Sequence, residues 1–543
     1  VATYYVSQST ANGYAIGDDS RSTAQAVSKL TPWLTVDKAY TASAAGDTIV
    51  LNDGTYTHAT LLTVAKSLTI NPETPYGAIL RSVNATRVIH LNSTSGAISL
   101  TLGQVVVDAN NTSASGITFN AAANLYTLAL NGTKFLNPTL IGVNVSTSAP
   151  AVALTARNII ISGTAITQSG IYASGLGVGS SVDIDGITVD MSGQTTNEHG
   201  AVVLKAVAEG VTATVKNVTG SIVVNASANQ HLGVRIFNIP AAVIEYCNIN
   251  ISGGTGTASG ILYWIGSDMT TPLTSANGII RYNRGQNSMP GGILALIGQD
   301  ASAVVGTAKN YSNGGKIYGN NCSGTAANRA SLHGFMLGNS TGGEAYGNFA
   351  DSVAFLVIAK GQDGGVLSYN SGTNIAGIGG LRAKASTGSK FYNNTVQCIS
   401  GWPFYADHDA TTSIYSADVE FKNNIAYVTD TVTGMVRVSV GSTGTFANNV
   451  YYSTVALPVN PWVYQLTNYA TFEDWQTAQE LTAVYADPQI LSNGKLRANS
   501  PCRNAGVDVG LTADFAGRPV RGLPDLGAYE YRRPARRGFG FGF

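Results

Sequence analysis

The side chains able to do chemistry are few in this chain, and they gather just after short Gly-apolar segments. Trp264 and Asp268 follow Gly260-Ile261-Leu262, and Gln299 and Asp300 follow Gly292-Ile293-Leu294. Lys360 and Asp363 come next, then Arg382 and Lys384 after Gly380-Leu381, and finally Tyr405, Asp407, His408 and Asp409. Aromatic faces stack on sugar rings, while carboxylates and Arg forks bond hydroxyls or acidic groups, so the set suits a sugar polymer. Two chemistries fit it. On a uronic-acid polymer, Lys360, Arg382 or Lys384 neutralises the sugar carboxylate while Tyr405 or His408 moves the proton. In a hydrolase, Asp268 and Asp300 hold equal places on successive segments, about 5 Å apart by strand spacing, nearer a retaining pair than an inverting one. The expected substrate contacts are Trp264, Asp363, Lys384, Asp407 and Asp409. Each of these residues also has an ordinary reading as solvated charge on an outward face, and Asp190, Glu198 and His199 form a lesser cluster.

Positioning such a stripe requires a repeated backbone, and the sequence carries one. An aromatic and an asparagine recur at Tyr246-Cys247-Asn248, Tyr318-Gly319-Asn320, Tyr346-Gly347-Asn348, Tyr392-Asn393-Asn394, Phe421-Lys422-Asn423 and Phe446-Ala447-Asn448, with looser members at Tyr282-Asn283 and Tyr369-Asn370. The aromatics step by 36, 36, 28, 23, 23, 29 and 25 residues, the period of a solenoid coil with variable loops. Similar offsets on successive coils put the charged residues on one side. The Asn column reads as structural, because Asn tolerates left-handed φ and its amide bonds both neighbouring backbone and the Asn of the next coil. The aromatics are expected to stack in the core.

Composition agrees. Apolar residues make up 44% of the chain and are spread in short runs, and Gly numbers 62, a mixture suited to strands and tight turns. Thirty-one basic against thirty-one acidic side chains, with no Lys/Arg stripe before the last dozen residues, exclude an electrostatic footprint for nucleic acid. No apolar run approaches the length of a membrane span. Cys247, Cys322, Cys398 and Cys502 lie far apart, without metal-type spacing, and read as free buried thiols. No metal or other cofactor is expected.

The ends complete the pattern. Pro32-Trp33-Leu34-Thr35, Lys38-Ala39, Gly46-Asp47-Thr48-Ile49-Val50 and Asp53-Gly54-Thr55-Tyr56 resemble the entry signature of the pectate-lyase-like right-handed β-helix superfamily. Asp487-Pro488, Ser500-Pro501-Cys502, Asn504-Ala505-Gly506, Asp514-Phe515, Gly517-Arg518-Pro519 and Asp525 to Tyr531 resemble the closing segment of many secreted repeat proteins of that group. The resemblance implies an all-β fold, a single-stranded right-handed parallel β-helix (solenoid) with a short N-terminal capping helix and an irregular C-terminal cap. The expected divisions are an entry segment and capping helix at 1–56, the β-helix at 57–455, a cap with a short helix at 456–531 and an Arg/Gly/Phe tail at 532–543. Polysaccharide-active enzymes, surface adhesins and phage tailspikes share this superfamily. It therefore implies an extracellular or virion location and a polysaccharide partner, leaving open a lyase or glycoside hydrolase, a spike or adhesin that holds glycan uncut, and a structural particle protein. Tailspikes of the superfamily are commonly homotrimers. The tail reads either as a docking peptide for a larger assembly or as a flexible end.

Overall fold

The computed structural model describes residues 1–532 except 59–60, 84, 93–95, 120–124, 147–150, 164–165, 195–198, 227–229, 268–274 and 300–311. They fall into two compact units, the first formed by the described residues up to 299 with 312–316 and the second by those from 317 onward.

In the first unit the chain winds through two parallel ladders. One runs through Ile98–Leu102, Tyr126–Asn131, Val152–Gly163, Ser181–Gln194 and Thr212–Val224, each strand parallel to the next. The other runs from Arg87–Leu91 through Ser115–Phe119, Ile141–Ser146 and Ser169–Leu176 to Gly200–Ala206 and Gln230–Phe237. Alternation decides what each strand buries. Leu100, Leu128, Leu154 and Val182 occupy one register column and are all buried. Burying an aliphatic side chain of this kind stabilises by about 1.5–3 kcal/mol.

The entry segment folds onto the first strands as its residues suggest. Thr35 opens the helix Val36–Ala42, its side chain accepting the Lys38 amide at 3.2 Å. Asp47 accepts the amides of Ala2 and Ala44, each at 2.7 Å, which makes it a structural turn residue.

The second unit continues the parallel pairing, with strands such as Phe355–Lys360, Leu381–Lys384, Phe404–Asp407 and Val436–Val438 on one side and Lys390–Tyr392, Val419–Lys422 and Gly444–Ala447 on another. Its corner is an asparagine ladder. The amide Nδ2 of Asn320, Asn348, Asn370, Asn394 and Asn424 donates to Oδ1 of the next member at 2.9–3.0 Å, ending at Asn449. The backbone amide of each donates to the same oxygen. From Asn348 onward each Nδ2 also donates to a backbone carbonyl, as Asn394 does to Leu367. All six are buried at 1% exposure or less, and none of these amide atoms lacks a partner.

The ladder corrects the sequence register by one residue in places. Its members are Asn424 and Asn449, whereas Asn423 and Asn448 are the left-handed residues just before them, with φ of 60° and 54°. In the first unit the equivalent position is Cys247, whose amide donates to Asn283 Oδ1 at 2.9 Å, and Asn248 faces solvent. The aromatics also occupy several places rather than one core column. Phe391, Phe421 and Phe446 stack inside. Tyr318 and Tyr346 stack on the outer side of the strands Lys316–Tyr318 and Glu344–Tyr346. Tyr246 and Tyr282 hold the left-handed corner at φ 56° and are 53% and 44% exposed. Short strands allow this mixing, since a one-residue offset moves a side chain to the opposite face.

Beyond Val450–Ser453, Trp462–Tyr464 pairs antiparallel with Thr467–Tyr469, and the helix Phe472–Gln479 follows. Thr471 Oγ1 accepts the Asp474 amide and bonds Asp474 Oδ2 at 2.7 Å, so the acidic residue meets the capping hydroxyl instead of reaching back to the backbone. Trp475 is fully buried against Phe446. The four cysteines are free and buried, and burial pushes the Cys247 and Cys502 thiols up to about 12. Asp525 accepts the Asn504 amide at 2.7 Å and also that of Tyr531, a turn-holding role.

Candidate functional site

In the second unit the strand alternation sends Leu381, Ala383, Phe404 and Ala406 inward and their neighbours outward. Two outward columns result. One aligns Ile358, Arg382, Tyr405 and Arg437, and the other aligns Lys360, Lys384 and Asp407. Residues far apart in sequence thereby stand one strand spacing apart, about 4.8 Å.

The centre of this face is Tyr405. Its ring has the Arg382 guanidinium 5.4 Å away on one flank and that of Arg437 5.6 Å away on the other. Arg382 also lies over Phe355 at 4.9 Å, and Arg437 over Trp402 at 5.9 Å. Guanidinium groups over aromatic faces are held flat and directed, which spares their hydrogen-bonding edges for a ligand.

Asp407 organises the charges. Its Oδ2 accepts Arg382 Nη2 at 2.6 Å, and its Oδ1 accepts the His408 amide at 2.8 Å. Ser439 Oγ lies 3.1 Å from Asp407 Oδ1 and 3.3 Å from the Tyr405 hydroxyl, linking the two. Burial works to raise the Asp407 carboxyl, but the Arg382 bond and charge, the His408 amide and Ser439 outweigh it and hold the group below the usual carboxylate range. Burial, with the charge of Asp407, raises the Tyr405 phenol against the opposing effects of Ser439 and Arg437. Burial lowers the Lys384 amine, with Lys360 and Arg382 adding to it and Asp409 and Asp407 opposing. The face therefore presents a neutral phenol, an amine that releases its proton more readily than an ordinary lysine, and fixed guanidinium groups.

The expected site residues divide accordingly. Lys360, Arg382, Lys384, Tyr405 and Asp407 are brought together, and His408 adjoins them, its Nδ1 3.3 Å from Asp407 Oδ1 and its ring stacked on Tyr415 at 5.5 Å. Asp409 is 2% exposed and accepts the Thr411 amide inside its own turn, so its carboxylate is a turn element as well as a neighbouring charge. Asp363 sits at a coil corner, its backbone bridged to Thr341 and Thr387. Trp264 belongs to the first unit and is not among the residues gathered around Tyr405. It is 6% exposed, its indole donates to Gly298 at 2.8 Å, and it packs edge-on to Phe237 beneath Arg235. Asp268, Asp300 and Glu198 lie outside the described residues.

Arg437, Ser439, Trp402 and Phe355 complete the face and were not singled out by the sequence reading. Arg437 had a usable signal, because it stands directly after the Gly434-Met435-Val436 segment as Arg382 does after Gly380-Leu381. Ser439 and Phe355 had none. Among the described residues, no group of three His, Cys, Asp or Glu side chains is placed to hold a metal ion, and no helix is long and apolar enough to cross a membrane.

Parallel ladders, stacked corner asparagines and inward apolar columns define a parallel β-solenoid. No protein-family model and no curated protein matches the chain. Among solved structures it is similar to XylC in complex with xylose, at 8% identity over 98% of each chain with a TM-score of 0.32. It is also similar to the pectate lyase Pel9A, at 15% identity over 98% of this chain and 97% of that one with a TM-score of 0.21. A third is ORF18 of Geobacillus virus E2, at 11% identity over 57% and 54% with a TM-score of 0.23.

Proposed function

We propose that the outward face around Tyr405 binds an acidic polysaccharide, and that the chain works outside the cell or on a virus particle, where such polymers are met. The observation that carries this reading is the placement of Arg382 and Arg437 on either side of the Tyr405 ring, with Lys360 and Lys384 in the adjoining column. Arg382, Arg437, Lys360 and Lys384 share this face with the carboxylates of Asp407 and Asp409, while the buried Phe355, Trp402 and Tyr405 rings form its floor beneath the guanidinium groups. Asp407 already serves Arg382. A polymer bearing regularly spaced carboxylates suits the exposed Arg437 guanidinium and the cations beside it.

A second reading adds cleavage by β-elimination, favoured by Lys384. An amine with a lowered proton affinity beside fixed guanidinium groups can take the proton next to a uronate carboxylate that those groups neutralise, and the Tyr405 phenol can return a proton to the leaving oxygen. The hydrolase pair Asp268 and Asp300 is the competing route.

The deciding experiment incubates the chain with acidic and neutral polysaccharides and follows retention on the polymer, reducing ends and unsaturated-uronate absorbance together. Retention on acidic polymers that falls with added salt supports binding, and absorbance appearing with new ends establishes elimination. New ends without absorbance transfer the chemistry to Asp268 and Asp300. Equal retention on neutral polymers sinks the electrostatic reading.

A further inference from the structure

The first unit holds a separate cavity of about 290 Å³ with mixed polar and apolar walls, opened on the outward face of the strands Arg87–Leu91, Ser115–Phe119 and Ile141–Ser146. Arg87, Ser115, Thr118, Phe119, Asn144 and Gln168 contribute to its lining. Register explains the grouping, since His90, Thr118 and Asn144 are consecutive members of one column.

Arg87 is the distinctive group. Its Nη1 donates to Thr118 Oγ1 at 3.1 Å and lies 2.9 Å from His90 Nδ1, and its Nε donates to Thr86 Oγ1 at 3.2 Å. All these partners are neutral side chains: burial, with the Arg87 charge added, lowers the proton affinity of His90, so its Nδ1 accepts from Arg87. A guanidinium held by three uncharged groups, with no carboxylate paired to it among the described residues, keeps its charge for a ligand. Asn144 points to more than a bare anion. With Ser115 and Gln168 it adds neutral hydrogen-bonding side chains to the lining, which suit hydroxyls as well as a carboxylate. Phe119, 6% exposed, adds an apolar wall.

We propose that this cavity is a second saccharide site that takes one uronic acid residue, its carboxylate on Arg87, its hydroxyls against the Ser115, Asn144 and Gln168 side chains and its apolar face along Phe119. It uses no residue of the Tyr405 face, so either site can fail alone. His90 and Thr118 act as positioning residues that fix the guanidinium.

The test uses the full chain carrying Lys360→Gln, Lys384→Gln and Arg437→Gln, which leaves the other face only Arg382, bonded to Asp407, titrated calorimetrically with a galacturonic acid trimer, its carboxyl-reduced neutral counterpart and sodium sulfate. The expected result is one remaining site for the acidic trimer, weakened at least tenfold by Arg87→Gln or Arg87→Lys with the thermal midpoint unchanged, and weakened by Asn144→Ala. Lysine retains the charge but loses the fork, so its failure marks directed recognition. Trimer binding that is absent, or indifferent to Arg87, overturns the proposal. Equal affinity for the neutral trimer overturns the carboxylate contact. Sulfate binding as tightly as the trimer reduces the cavity to an adventitious anion site and overturns its assignment to a sugar.

Discussion

Arg382 Nη2 lies 2.6 Å from Asp407 Oδ2, with the two side chains 14% and 10% exposed. The pair joins neighbouring strands 25 residues apart in sequence and sets the plane in which Arg382 meets Tyr405.

Removing one partner of a pair this buried leaves the other unpaired. Asp407→Ala is expected to lower stability by about 2–4 kcal/mol and to release the Arg382 orientation, read by urea unfolding and by polysaccharide affinity. Because the folded-state carboxyl is held below its unfolded value, its contribution is present above the unfolded value of about 4. That contribution disappears as pH falls through the lower folded value. A wild-type acid limb that Asp407→Asn leaves unchanged would contradict this.

Arg437→Gln, at an exposed position, should weaken binding of acidic polymers about tenfold, as expected for a charge-assisted contact worth roughly 1.5 kcal/mol. The thermal midpoint should stay put and the salt dependence should become shallower. A variant that binds like the parent would remove Arg437 from the site.

Glu480 ends the asparagine ladder. Its Oε1 accepts both the amide and Nδ2 of Asn449, at 2.9 and 2.8 Å, and its Oε2 accepts the Tyr451 hydroxyl at 2.7 Å. Burial raises this carboxyl to about 7 despite those bonds. The folded state therefore holds a proton that the unfolded state has released between about pH 4.5 and 7, and stability should decline across that window as pH rises. Glu480→Gln should flatten the decline and exceed the parent above neutrality by on the order of 1–3 kcal/mol, measured by thermal unfolding against pH. Glu530, also raised to about 7 by burial, contributes a slope of the same sign, so the comparison belongs in an Glu530→Gln background as well.

Asn394→Ala should cost about 2–4 kcal/mol, since it strands donors on Asn370 in a buried row and removes the bonds to the Leu367 carbonyl and, alongside the retained backbone amide, to Asn424 Oδ1. Asn423→Gly, at φ 60° beside the ladder, tests a left-handed position where glycine is conformationally at ease, but there the amide also bonds Val507 and Asn393. A loss smaller than that of Asn394→Ala would separate the corner's backbone role from the ladder's.

The sequence alone carried the coil period, the parallel β-helix, both capped helices, the buried free thiols and the gathering of Lys360, Arg382, Lys384, Tyr405 and Asp407, because each is written in local spacing or in equal offsets from a repeated segment. Tertiary structure decided the rest. Asn423 and Asn424 are adjacent and chemically identical, and only cross-coil pairing selects Asn424 for the ladder. Arg437 became part of the face, and Trp264 a packed side chain, through the same register. A repeat of variable length fixes the period but not the phase. In a strand a shift of one residue exchanges the inner face for the outer, so the hydrogen bonds between coils determine which side chains meet a ligand.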